Sequence, residues 1–183
     1  MPKYVAFLRA INVGGHTVKM DELRRLFEAL GFSNVETFIA SGNVIFDSPS
    51  KQTAALEKRV EGFLREKLGY EVTTFIRSLA ELMEIVAYTP FPGVEPKTEG
   101  GALYIGFLRQ SPGGEAQQRV LALATPMDDF HIRGRELYWL GHQGLGKSDV
   151  SGAQLARALG MPTTLRNEAT VRKIAAKYCR RGE

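Results

Sequence analysis

The tripeptide Phe-Leu-Arg occurs twice, at Phe7-Leu8-Arg9 and Phe107-Leu108-Arg109, each time at the end of an apolar run and shortly before a Gly-Gly pair. Those pairs are Gly14-Gly15 and Gly113-Gly114, and Thr73-Thr74 in the first half is echoed by Thr163-Thr164 in the second. Matches in the same order constrain the fold, because a duplicated chain builds one supersecondary unit twice. Coincidence between two similar units is the alternative reading.

The pattern between the landmarks supplies the unit. Tyr4 to Ile11 is apolar and rich in β-branched and aromatic residues, which predicts a strand. Met20, Leu23, Leu26, Phe27 and Leu30 recur at helical spacing, with Asp21 and Glu22 in the first turn and Gly31 past the end. "VETFIAS" and "NVIFDS" flank Gly42 as a hairpin, Leu56 to Leu68 forms a second amphipathic helix, and "EVTTFIRS" is a fourth strand. Ser78 and Glu81 have capping-box spacing and open a trailing helix. Residues 89–101, "TPFPGVEPKTEGG", hold three prolines and three glycines without periodicity and predict a linker. Beyond it the order repeats, with a hairpin turning at Gly134 and a last helix capped by Asn167. The expected fold is α+β: two ferredoxin-like β-α-β-β-α-β units in tandem, residues 1–88 and 102–183. Each has an antiparallel sheet with helices on one face, and the two are expected to pack as one compact structure.

In such a unit the loop after strand one and the turn between strands two and three lie at the same end. That brings "NVGGHTVK" towards "SGN", so Arg9, Asn12, Gly14, Gly15, His16, Lys19, Ser41, Gly42 and Asn43 are the first candidate ligand-binding set. Adjacent glycines before a helix can offer backbone N–H groups to an anion. The plain alternative is a Gly-Gly turn with a solvated lysine and a capping serine.

The second half contains "GHQGLGKS", which satisfies the phosphate-loop pattern G-x-x-x-x-G-K-[ST]. Its context departs from a nucleotide hydrolase. The preceding strand belongs to a hairpin, and no later apolar strand ends in an Asp that would hold Mg²⁺. Gly144, Gly146, Lys147 and Ser148 are instead expected to face Arg166 and Asn167 as a second candidate anion site.

Charge is mildly basic, with 24 Lys and Arg against 20 Asp and Glu, a net +4 that suits phosphates and a solvated surface equally. No run of 18 apolar residues predicts a membrane span. The single cysteine, Cys179, fits a reducing cytoplasm, and Arg180 and Arg181 beside it would lower its pKa if the tail were ordered. The three histidines lack metal-ligand spacing, so neither metal nor cofactor is expected. Two other classes stay open. One is a nucleic-acid-binding module stacking bases on Tyr4, Phe7 or Phe46 of strands one and three. The other is a structural or protein-interaction protein without catalysis.

The stretches "FLRAINVGG", "VKMDEL", "SGNVIF", "GLGKSD" and "TLRNEAT" resemble those of an uncharacterised bacterial family, domain of unknown function family 1697. The resemblance runs through both halves and implies paired ferredoxin-like units. It supplies no catalytic residues. Asp149 stands where the family tends to have Lys, and Glu168-Ala169 where it has Trp-Asn.

Overall fold

The computed structural model describes every residue except 13, 40, 41 and 180–183. It contains two four-stranded antiparallel sheets, each built by a β-α-β-β-α-β segment. The first segment runs β1 (Lys3–Leu8), α1 (Met20–Ala29), β2 (Ser33–Thr37), β3 (Asn43–Asp47), α2 (Thr53–Leu68) and β4 (Thr74–Ser78), followed by α3 (Leu79–Ala87). The second runs β5 (Ala102–Phe107), α4 (Gly114–Leu121), β6 (Asp128–Arg133), β7 (Glu136–Gly141), α5 (Gly152–Leu159) and β8 (Thr164–Asn167), followed by α6 (Glu168–Tyr178). Strand orders are β2-β3-β1-β4 and β6-β7-β5-β8, the same arrangement twice. The chain divides into compact units at Met83/Glu84, with Tyr178 and Cys179 belonging to the first unit.

Strand alternation explains how the first sheet buries itself. Tyr4, Ala6, Leu8, Val44, Phe46 and Ile76 share one core with Leu23 and Phe27 of α1 and Leu56, Val60 and Leu64 of α2. The intervening residues Val5, Phe7, Ile45, Phe75 and Arg77 take the opposite face by register and are buried as well. Strands covered on both faces read as continuous apolar runs, which is the pattern "KYVAFL" and "NVIF" present. In the second unit Leu137, Trp139 and Phe130 pack with Val120 of α4 and with Leu155 and Leu159 of α5.

Local signals decide where elements begin. Ser78 N donates to Glu81 Oε2 at 2.8 Å and Glu81 N to Ser78 Oγ at 3.2 Å, a complete capping box at the start of α3. Asn167 Oδ1 accepts from Ala169 N at 2.9 Å, capping α6. The β2–β3 connection is longer than the tight turn expected around Gly42, because β2 ends at Thr37 and β3 starts at Asn43.

Segment 89–101 has no helix or strand, yet it is fixed at its C-terminal part to the second unit. Lys97 N donates to Nδ1 of the buried His142 at 3.0 Å, the Thr98 hydroxyl donates to the His142 carbonyl, and Lys97 Nζ reaches Pro126 O at 2.6 Å. A Cβ on Gly101 would lie 2.8 Å from the His142 carbonyl oxygen, so only glycine lets the chain pass this closely.

Candidate functional site

The first unit's loop end is assembled from the ends of four strands. β1 and β2 point towards it, and β3 and β4 start from it. Leu8 N donates to Gly42 O at 2.8 Å, and Arg9 N donates to Thr73 O at 2.9 Å, so the β1–α1, β2–β3 and α2–β4 connections meet around the end of β1. Gly42 has φ +82°, and a Cβ there would stand 3.0 Å from Ile11 Cγ2 and 3.2 Å from Leu8 Cβ. The contact between the two loops therefore depends on the missing side chain.

The β1–α1 connection buries Ile11 and Val18, exposes its other described residues, and carries its own bracing. Asn12 Oδ1 accepts from Val18 N at 2.8 Å, closing the loop on itself. Tyr70 Oη donates to Ile11 O at 3.0 Å, and the Tyr70 ring stacks on His16 with centroids 3.9 Å apart and planes 19° from parallel. Burial, with Glu22 adding to it, pushes the Tyr70 hydroxyl above its ordinary pKa, so it stays a donor at neutral pH. Ala10, Gly14 and Gly15 all have positive φ. In the β2–β3 connection Ile39, exposed and β-branched, holds φ 59°, a conformation such residues avoid because Cβ crowds the following carbonyl.

The nine residues of the first candidate set therefore divide by task. Arg9, Gly14, Gly15, His16 and Lys19 are exposed at the loop end. Lys19 is the N-cap of α1: its carbonyl accepts from Leu23 N at 3.0 Å, and its side chain makes no capping hydrogen bond. Asn12 is exposed, but its carboxamide closes the loop. Gly42 joins the loops, and the buried Asn43 ties the hairpin through Nδ2 to Phe38 O at 2.8 Å. Ser41 lies outside the described residues.

The second candidate set is split by the sheet. Gly144 has φ +80°, residues Leu145–Lys147 make one 3₁₀ turn, and α5 starts only at Gly152. The Ser148 hydroxyl donates to Asp128 Oδ1 at 2.7 Å, on the oxygen that also accepts from Trp139 Nε1 at 3.0 Å. Thr125 Oγ1 donates to the other oxygen at 2.7 Å. Burial alone would raise the Asp128 carboxyl, but the hydrogen bonds from Thr125, Ser148 and Trp139, with His142 nearby, hold it below the usual carboxylate range. Ser148 thus belongs to the helix-covered face, where Trp139 packs. Arg166 pairs with Ile105, which also pairs with Tyr138, and so lies on the other face. It is buried and donates to Thr164 Oγ1 at 2.7 Å and Leu165 O at 3.0 Å, and burial lowers its pKa to about 10, still charged at neutral pH. Asn167 is occupied in capping α6.

The same geometry disposes of the phosphate-loop reading. A nucleotide cradle needs consecutive loop N–H groups leading straight into a helix and a Ser/Thr hydroxyl free for Mg²⁺. Here the serine hydroxyl is held by a buried aspartate, the histidine of the octet is buried, and the preceding strand runs antiparallel to both its neighbours.

The protein-family model described as "Protein of unknown function (DUF1697)" matches residues 1–138. The chain belongs to this family. Among solved structures, a conserved bacterial protein from Streptococcus pneumoniae is similar in fold, with a TM-score of 0.69 and 24% identity over 97% of this chain and 98% of that one. No curated protein matches. The DUF1697 match includes the whole of the first loop end and stops within β7, before the octet.

Two further residues of this DUF1697 member bear on the site reading. Tyr70 braces the loop end, and its signal was topological: β4 runs antiparallel to β1, so the chain entering β4 must arrive where the chain leaving β1 departs. Burial pushes the Cys179 thiol pKa up, and its sulfur lies 3.8 Å from Leu79 O. Arg180 and Arg181 lie outside the described residues. The rings suggested for base stacking are in the interior: Tyr4 is 3% exposed, and Phe7 and Phe46 are 0%. No helix among the described residues is long and apolar enough to cross a membrane.

Proposed function

We propose that the protein binds a small anionic or phosphorylated ligand at the first unit's loop end, with Arg9, His16, Lys19 and the backbone of Gly14 and Gly15 in contact with it. The reading is supported by the junction at Gly42, where the β2–β3 connection meets the chain leaving β1, whose next residues include exposed Arg9, His16 and Lys19 and the left-handed Gly14 and Gly15. Cations and open N–H groups at a helix start favour an anion electrostatically. A cytoplasmic setting belongs to the same proposal, supported by the single cysteine of the sequence.

Thermal unfolding in the presence of pyrophosphate and of nucleotides tests it. Binding to the folded state raises Tm with ligand concentration. Arg9→Ala and Lys19→Ala each remove an exposed side chain and should abolish most of that rise while leaving the ligand-free Tm in place. Lys147→Ala, in the octet, should keep it. An unchanged Tm for the wild-type protein with every anion tried would sink the proposal, as would a rise lost only in Lys147→Ala.

A further inference from the structure

Beside the loop end, α2 carries a glycine that helix chemistry does not ask for. Gly62 lies inside Thr53–Leu68, where glycine costs about 1 kcal/mol relative to alanine. Its φ is not positive, and a Cβ built on it would meet nothing within 4 Å. Neither backbone conformation nor close packing explains the glycine, so the empty space is the feature to explain.

That space is the floor of a cleft of about 260 Å³ between α2 and the chain entering β4. Lys58, Gly62 and Arg65 stand at i, i+4 and i+7, which places them on one helix face with the middle side chain deleted between two cations. Carboxylates complete the rim. Glu61 Oε1 accepts from Thr74 N at 3.0 Å, which orients that side chain against the β4 entry. Glu71 lies 3.7 Å from Arg65 with both side chains largely exposed, a contact loose enough to exchange for a ligand. Val72 supplies an apolar wall.

We propose that this cleft binds a small zwitterion. Its phosphate or carboxylate sits in the notch over Gly62 between Lys58 and Arg65, and its ammonium group faces Glu61 and Glu71. Two cations and two carboxylates leave the rim without net charge, so neither a simple anion nor a simple amine satisfies it. The volume restricts the ligand to metabolite size. The cleft adjoins the loop end proposed above at the α2–β4 connection but uses none of the same side chains.

Isothermal titration with phosphoethanolamine tests the proposal, with inorganic phosphate and ethanolamine as its two halves. Phosphoethanolamine should bind at least about tenfold more tightly than either half, since each carries only one of the two charge contacts. Gly62→Leu should fill the notch and abolish binding while raising Tm, because it replaces glycine by a strong helix former at an open position. A variant more stable than the wild type and unable to bind cannot be failing through misfolding. Lys58→Ala and Arg65→Ala should each weaken binding by about tenfold. Lys19→Ala should leave it unchanged, which separates this cleft from the loop end. Absence of phosphoethanolamine binding overturns the proposal. So does undiminished binding in Gly62→Leu, or inorganic phosphate binding as tightly as the zwitterion.

Discussion

Two glycines in the first unit have opposite uses, and substitution should reveal the difference. Gly42 combines φ +82° with a Cβ position 3.0 Å from Ile11 Cγ2, 3.2 Å from Leu8 Cβ and 3.3 Å from Leu8 O. Gly42→Ala must strain the backbone and force Leu8 or Ile11 aside, for a combined cost of about 2–4 kcal/mol. Urea unfolding should show the midpoint falling without a change in slope. Because Gly42 joins the two loops, the same variant should lose anion binding at the loop end under conditions where it is still folded. A Gly42→Ala protein as stable as the wild type would mean that the loops do not meet as described. At Gly62 the alanine substitution meets open space and carries the opposite sign.

At the scale of elements, what the sequence disclosed and what it hid follow from the range of the interactions. Capping is local: Ser78 and Glu81 were identifiable from spacing alone, and their reciprocal hydrogen bonds start α3 where expected. The strand order follows from connection rules acting on a duplicated pattern, so the gathering of the β1–α1 and β2–β3 loops was also legible. Commitments made by side chains across the fold were not. Nothing around Ser148 announces that its hydroxyl is held by Asp128, or that Arg166 emerges on the other face of the sheet. The Asp128 cluster, which ties β6, β7 and the octet together, has a pH signature that can be checked. Its carboxyl is held below the usual range, so the stabilisation is complete above the unfolded value of about 3.9 and is lost as pH falls from there through the folded value. Trp139 is the sole tryptophan and donates to this carboxylate, so its fluorescence reports the cluster. Asp128→Asn should cost about 2 kcal/mol at neutral pH, since charged hydrogen bonds of this type contribute roughly 1.5–3 kcal/mol. Below pH ~4 the difference from wild type should shrink, because the unfolded aspartate takes up a proton while the native carboxylate is still ionised. A stability gap that stays constant through the acid range would show that the ionised form is not what the three donors hold.

For the whole molecule the decisive segment is 89–101, because composition makes it a connector while its hydrogen bonds make its later part a fixture of the second unit. Three prolines and three glycines with no hydrophobic period are what a flexible tether would contain. The same residue types also suit a strand of chain laid closely over another, since proline removes donors that would need partners and glycine removes side chains that would collide. His142 decides between the two uses. It is fully buried, its Nδ1 accepts from Lys97 N, and its Nε2 lies 2.8 Å from Asp129 Oδ2, so both ring nitrogens are engaged. Removing the ring takes away the acceptor for Lys97 N and leaves a cavity beneath the segment. Trypsin distinguishes a tether from a fixture, because cleavage needs several residues of backbone to come free. The Lys97–Thr98 bond should resist the protease in the wild-type protein, although Lys97 itself is exposed. In His142→Ala it should become a major early cut, while cleavage after Lys51, in the exposed connection before α2, keeps its wild-type rate. Rapid cutting at Lys97 in the wild type would return the segment to the status of a linker. Equal acceleration at Lys51 and Lys97 in the variant would show that His142 supports the protein's stability at large and has no particular hold on the connector.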